Sequence, residues 1–172
     1  MNKVKAYHAG ELKDIETFIS WPSPYKKSQV PGDWLGYGIY FWENDIGRAE
    51  RWQMKKGLGA ILECEIDTSN LLNILELSAA TKKFYESANK QLKSYKNPKP
   101  NNKQSQLYFL DCKLFNDLKK QFEHEYSGFR MAFHLGDSIT PDGNIYQDQH
   151  IQICLWETSA ILNPSKYIPS LL

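Results

Sequence analysis

No stretch of this 172-residue chain is apolar for long enough to suggest a membrane span. The opening MNKVKAYHAGELKD lacks the apolar core of a secretory signal. A cytoplasmic protein without membrane contact is therefore expected. Cysteine is scarce: Cys64, Cys112 and Cys154 are odd in number, far apart and in no Cys-x-x-Cys spacing. That pattern excludes a disulfide framework. Each cysteine sits in apolar company (LECEI, FLDCKLF, QICLW), so buried free thiols are expected. With paired ligands missing, no metal site is expected. Net charge is only +1, which excludes a polycation along its whole length. No internal repeat is visible.

What is present suits a single domain over 1–172, with 41% hydrophobic and 13% aromatic residues to build a core. Lys3 to Ala9 alternates as a short strand closed by Gly10, and Asp14 to Trp21 suits a helical turn or two. Three prolines make WPSPYKKSQVPGDW irregular. Gly38 to Trp42 reads as a buried strand. Asn44 or Asp45 then caps a helix over Ile46 to Lys56, which Gly57 to Gly59 ends. Ala60 to Asp67 alternates as a strand, and the apolar run Asn70 to Leu77 is read as leading into a helix. Helices are expected over Ala80 to Leu92 and Leu107 to Glu125, separated by a loop or mobile insert, Ser94 to Gln106. Phe129 to Phe133 reads as a strand, Gly136 to Gly143 as a turn region, and His150 to Trp156 as the last strand. This mixed order argues an α+β fold.

The densest stretch is Gly32 to Trp52, GDWLGYGIYFWENDIGRAERW. Rings and glycines mingle there. A buried strand wants rings without glycines, and a loop wants glycines without rings. A site that grips a flat ligand wants both. In a strand whose Tyr40 faces a cleft, Ile39 and Phe41 face the core. Trp34, Tyr37 and Trp42 read as packing rings.

YHAG (7–10), GYGIYFWENDIGRAERW (36–52) and QHIQIC (149–154) together resemble, in order, the three motifs of the ADP-ribosyltransferase superfamily. The similar branch carries His, Tyr and Glu or Gln, as in diphtheria-type toxins and poly-ADP-ribose polymerases. The closer likeness is to small bacterial proteins of this fold, some of them toxins. The resemblance implies a split, strongly bent pair of small sheets, antiparallel or mixed, around an NAD cleft with flanking helices. It implies NAD as co-substrate, no metal, and release of nicotinamide as ADP-ribose moves to an acceptor.

Carried over by position, His8 holds the ribose of the adenosine half, with a surface or capping histidine as the plain alternative. The backbone at Ala9 and Gly10 holds the nicotinamide amide; the family commonly has glycine where Ala9 stands. Tyr40 lies against the nicotinamide ring, and Gly36 and Gly38 let backbone approach the ligand. Trp52 is the candidate for a second ring contact, or else packs between helix and sheet. The third motif lacks the family's Glu. Gln152 takes that place, with Gln149 as the alternative alignment and His150 guiding or deprotonating the acceptor. The plain alternative is an inert polar face on an edge strand. Arg48 and Arg51 are read as solvated helix face, with contact to the pyrophosphate as the alternative, and Asp33 and Glu43 as loop and cap residues.

Residues 81–120 hold ten lysines against three acidic residues, with Tyr85, Tyr95 and Tyr108 among them. Such a basic, partly flexible insert suits RNA or DNA, a solvated lysine face, or an acidic antitoxin protein. The expectation is a mono-ADP-ribosyltransferase, leaning to an RNA base, in a toxin–antitoxin or phage-defence setting. The missing Glu argues against chain elongation. A protein acceptor, NAD glycohydrolysis and a catalytically dead binding module stand as alternatives.

Overall fold

In the computed structural model, which describes residues 2–21, 25–95, 103–138 and 146–169, one curled sheet of seven strands is flanked by four helices. In chain order the elements are β1 (Lys3–Gly10), α1 (Leu12–Ser20), β2 (Ile39–Glu43), α2 (Ile46–Lys56), β3 (Ala60–Asp67) and β4 (Leu72–Asn73). These are followed by α3 (Ala79–Ser94), α4 (Lys103–Phe122), β5 (Gly128–Ser138), β6 (Tyr146–Leu155) and β7 (Ile161–Lys166). The strand order is β4-β5-β6-β2-β1-β3-β7, antiparallel throughout except for the parallel β4–β5 pair.

The sheet is continuous rather than two separate small sheets, but its middle joint is narrow. β1 pairs with β3 along its whole length, from Lys3↔Asp67 to Gly10↔Ala60. It pairs with β2 only at Ala6↔Glu43 and Tyr7↔Trp42. Beyond that point β1 follows β3, while Ile39 to Trp42 follow β6. The two halves part between His8 and Tyr40, and a short bridge from Ser28 to Gly38 lies along the start of β2.

Alternation along the strands sorts side chains to two faces. On one face Ile15 and Phe18 of α1 pack onto Ala6, Phe41, Leu62 and Ile153. On the other, α3 and α4 lay Phe84, Leu118 and Phe122 over Phe129 and Cys154. Over the β1–β3 half of that second face, Ala49 of α2 meets Tyr7, Trp42 and Ile61. Asp45 caps α2 by accepting from the Arg48 backbone N–H at 3.0 Å, and Gly57 ends it in the left-handed region at φ 66°.

Five expectations need correction. Asn70 to Leu77 gives the two-residue strand β4 and turns, not a helix lead-in, because Leu72 and Asn73 pair with Phe129 and Arg130. The loop expected over Ser94 to Gln106 yields at both ends, Ser94 to α3 and Lys103–Gln106 to α4; its centre, 96–102, lies outside the described residues. Gly136–Ser138 continue β5, while the rest of the turn region, 139–143, also lies outside them. β6 is not the last strand: β7 follows, bulged against β3 between Glu63 and Glu65. β6 is also interior rather than an edge, lying between β5 and β2. The three cysteines are buried and free. Among the described residues no helix is long and apolar enough to cross a membrane.

Candidate functional site

A cleft of about 670 Å³ opens where the two halves of the sheet part. Its floor is Tyr40 and Trp42 of β2 with His150 and Gln152 of β6. Register brings these together, since Tyr40 pairs with Cys154 and Trp42 with Gln152. One wall is α2, through Arg48, Arg51 and Trp52; the other is the irregular segment carrying Tyr25 to Ser28 and Gly32 to Trp34. His8, Ala9 and Gly10 of β1 also line the cleft.

His8 lies edge-on to Tyr25 with ring centroids 5.1 Å apart, and tilted against Phe41 at 5.6 Å. Its Nδ1 lies 2.7 Å from the Tyr40 carbonyl oxygen. A carbonyl only accepts, so Nδ1 carries the proton. Burial lowers the His8 pKa, with the Tyr40 carbonyl opposing. The ring is neutral at pH 7, which leaves Nε2 as an acceptor.

Tyr40 presents its ring to the cleft and its hydroxyl to the adjoining loop. The hydroxyl donates to the Gly36 carbonyl at 2.7 Å and accepts from the Leu35 N–H at 2.8 Å. Burial raises its pKa, so the phenol keeps its proton. Gly36 sits at φ 76°, where glycine alone is at ease, and Asn116 Oδ1 is 2.8 Å from where a Cβ would stand. Asn116 also accepts from the Tyr37 N–H at 2.8 Å. Gly38 lines the cleft, but the space a Cβ needs there is filled by Cys154 and Leu155. At both glycines the space for a Cβ is taken by protein neighbours; Gly38 nonetheless lines the cleft, and Gly36 does not.

At the third motif, His150 stacks on Phe133 with centroids 5.7 Å apart, and Trp34 lies at 6.2 Å. The His150 side chain is 6% exposed. Gln152 Nε2 approaches His150 Nε2 at 2.9 Å, so with the amide donating the ring proton lies on Nδ1, which has no partner. Burial, reinforced by the Arg48 guanidinium, pushes the His150 pKa down to about 4. Gln149 alternates away from these residues, is exposed, and does not line the cleft.

Several residues stand elsewhere than the sequence suggested. Arg48 is not solvated helix face: its side chain is 11% exposed and bridges Asp45, at 3.2 Å, to Asp148 of β6. Arg51 is exposed at the cleft wall. Trp34 and Trp42 line the cleft, whereas Ile39 and Phe41 face the core. Trp52 lines the cleft and also packs on Trp42, with centroids 6.0 Å apart. Asp33 is a loop residue, accepting from the Val30 N–H at 3.2 Å. Glu43 is not a cap: it is buried and takes two 2.6 Å bonds from Arg130. Adjacent sequence gives no sign of these partners, which lie far along the chain.

Among the described residues no group of three His, Cys, Asp or Glu is placed to hold a metal ion. No family model, curated protein or solved structure matches the chain.

Proposed function

We propose that this chain is an NAD-dependent mono-ADP-ribosyltransferase acting on a macromolecule, with a nucleic-acid base, RNA above all, favoured as acceptor. One observation carries the reading: His8, Tyr40 and Gln152, from three separate strands, line a single cleft. Its volume falls inside the roughly 300–1,000 Å³ usual for small-molecule sites.

NAD supplies a ribose–nicotinamide bond whose cationic leaving group departs neutral, taking the bonding pair. His8 Nε2, an acceptor by elimination, suits a ribose hydroxyl. The Tyr40 ring, held by its hydroxyl, offers a fixed face to the nicotinamide, while the backbone at Ala9 and Gly10 lies at the same end of the cleft. Gln152 donates to His150, which leaves its carbonyl oxygen for the 2′-hydroxyl beside the positive charge developing at C1′. A new bond forms from the acceptor to C1′ as the nicotinamide bond breaks, and the acceptor's proton passes to water or, once the Gln152 amide leaves Nε2, to neutral His150. Gln152 adds no negative charge, so a single transfer, not polymer growth, is the expected outcome.

A silent NAD- or nucleic-acid-binding domain is the second reading, favoured by Gln152 standing where the similar enzymes carry Glu. Incubation with NAD labelled in its adenylate phosphate and total cellular RNA, then nuclease or protease digestion, separates the readings. Label released by nuclease supports the proposal. Label released by protease shifts the acceptor to protein, and NAD loss without labelled polymer shows a glycohydrolase. No NAD consumption under any condition leaves the binding domain. A toxin role in a toxin–antitoxin or phage-defence system in the cytoplasm belongs to the same proposal; harmless expression in bacteria without any partner removes it.

A further inference from the structure

The cationic mouth of the cleft adds a substrate-binding element. Arg51, Trp52, Lys55 and Lys56 are exposed on the last two turns of α2, and Lys26 and Lys27 are exposed on the opposite wall. The Trp52 indole is 41% exposed, with the Lys56 and Lys55 ammonium groups 5.0 and 5.9 Å from its ring centroid. Among the described residues none of these five cations has a carboxylate partner.

Four lysines of α3 and α4 differ. Lys83 pairs with Glu125, Lys113 and Lys120 share Asp117, and Lys119 lies over Trp156. Part of the basic excess legible in the sequence is thus paired within the chain; among the described residues Lys82, Lys90 and Lys93 of α3 are not, but they stand outside the cleft, whereas the unpaired charge at the mouth lines it on both walls. Like charges gathered around one ring repel unless an anion joins them. Two ammonium groups over the indole make a poor seat for a cationic pyridinium. They suit a neutral base flanked by phosphates, the pairing of ring and cation that holds single strands. Glu11 and Asp14, at the start of α1, and Asp33 also line the cleft, so a polyanion is confined to the path between the α2 cations and Lys26 and Lys27.

We propose that this mouth binds single-stranded nucleic acid, with one base stacked on Trp52 and the flanking phosphates on Arg51, Lys55 and Lys56, and on Lys26 and Lys27 opposite. Placing the strand beside the reacting ribose rests on the transferase reading; the binding itself does not. The test uses the full chain and a fluorescein-labelled 20-nucleotide oligouridylate, followed by anisotropy from 50 to 200 mM salt without NAD. Trp52→Ala is expected to weaken binding about 5- to 150-fold, the equivalent of roughly 1–3 kcal/mol for one stacked base. The triple variant Lys26→Gln, Lys27→Gln, Lys55→Gln is expected to flatten the slope of log affinity against log salt by about 2, at roughly 0.7 per phosphate contact. Lys82→Gln, Lys90→Gln, Lys93→Gln on α3 is expected to bind as the wild type does. Circular dichroism checks that each variant folds.

The proposal is overturned if the wild type does not bind, if the α3 variant loses affinity while the cleft variants keep it, or if a duplex binds equally well. Equal competition by polyglutamate also overturns it, in favour of an acidic protein partner. Oligouridylate binding without NAD consumption sinks the transferase reading alone, whereas NAD consumption without binding sinks this one alone.

Discussion

His8 Nδ1 donates to the carbonyl oxygen of Tyr40 across 2.7 Å, joining two strands at the point where their backbones part. The imidazole stands in for a ladder bond and fixes its own tautomer in doing so. Narrow pairing between β1 and β2 opens the cleft, and this side chain holds the two strands together beside it.

Buried histidines make stability depend on pH in a definite direction. The folded pKa of His8 is lowered, and that of His150 lies at about 4, against about 6.5 unfolded. Both groups bind a proton more readily unfolded, so their contribution is complete above pH 6.5 and is lost as pH falls toward 4. Each group adds at most about 1.4 kcal/mol per pH unit in that window. Urea unfolding between pH 7 and 5, above most carboxylate titrations, is expected to show falling midpoints, with a shallower fall in His150→Leu. A flat wild-type profile would show that the imidazoles are hydrated.

Tyr40→Phe isolates the hydroxyl from the ring. It leaves the Leu35 N–H and Gly36 carbonyl, both of buried residues, without their partner, a loss of roughly 1–3 kcal/mol. The loop carrying Asp33 and Trp34 is expected to loosen, so on the proposed reading NAD turnover is expected to fall although the ring face is intact. Tyr40→Ala, which removes that face, is expected to abolish turnover. Because Tyr40 also packs against the α3–α4 core, its fold must be checked by circular dichroism. Wild-type NAD consumption by a folded Tyr40→Ala protein would falsify the placement of the nicotinamide.

Sequence patterns located the elements whose local signals are strong. The bounds of α2 follow from Asp45, a helical stripe and Gly57, and those of β3 from alternation. β7 escaped because ILNPSK holds Pro164 and an Asn163 in the left-handed region at φ 50°, neither of which reads as strand. The site was legible where its motifs are contiguous: His8, Tyr40 and the His150–Gln152 pair share the cleft. Arg48 with Asp148, and Glu43 with Arg130, stand 100 and 87 positions apart, so only the assembled sheet reveals their pairing. The cationic mouth was hidden for a related reason. Arg51, Lys55 and Lys56 read as ordinary helix surface until the fold brings Lys26 and Lys27 opposite.

Glu43 and Arg130 tie β2 to β5 across β6, and Arg130 also donates to Asn73 of β4 at 3.1 Å. Glu43→Ala strands a largely buried guanidinium and is expected to cost about 3–5 kcal/mol. Replacing both partners, Glu43→Leu with Arg130→Met, is expected to recover most of that loss, because the pair's desolvation vanishes with its attraction. Guanidinium denaturation of the two variants checks this. If the double variant is as unstable as the single one, the pair contributes more than its own charges.

Gln152→Glu tests the missing carboxylate directly. The substitution adds one negative charge where the proposed reaction develops positive charge, with little change in size. Removing one preorganised polar group from such a site typically costs 10²- to 10³-fold, so Gln152→Ala is expected to lower NAD consumption by about that factor. Gln152→Glu is expected to raise it, most visibly as hydrolysis, where water is always at hand. The new carboxylate lies beside His150 and favours the imidazolium, so the His150 pKa rises from about 4. The acid limb of the pH–rate profile should therefore move to higher pH in this variant. NAD consumption measured from pH 4 to 8 reads both effects. An unchanged rate and profile would mean that Gln152 does not touch the reacting ribose.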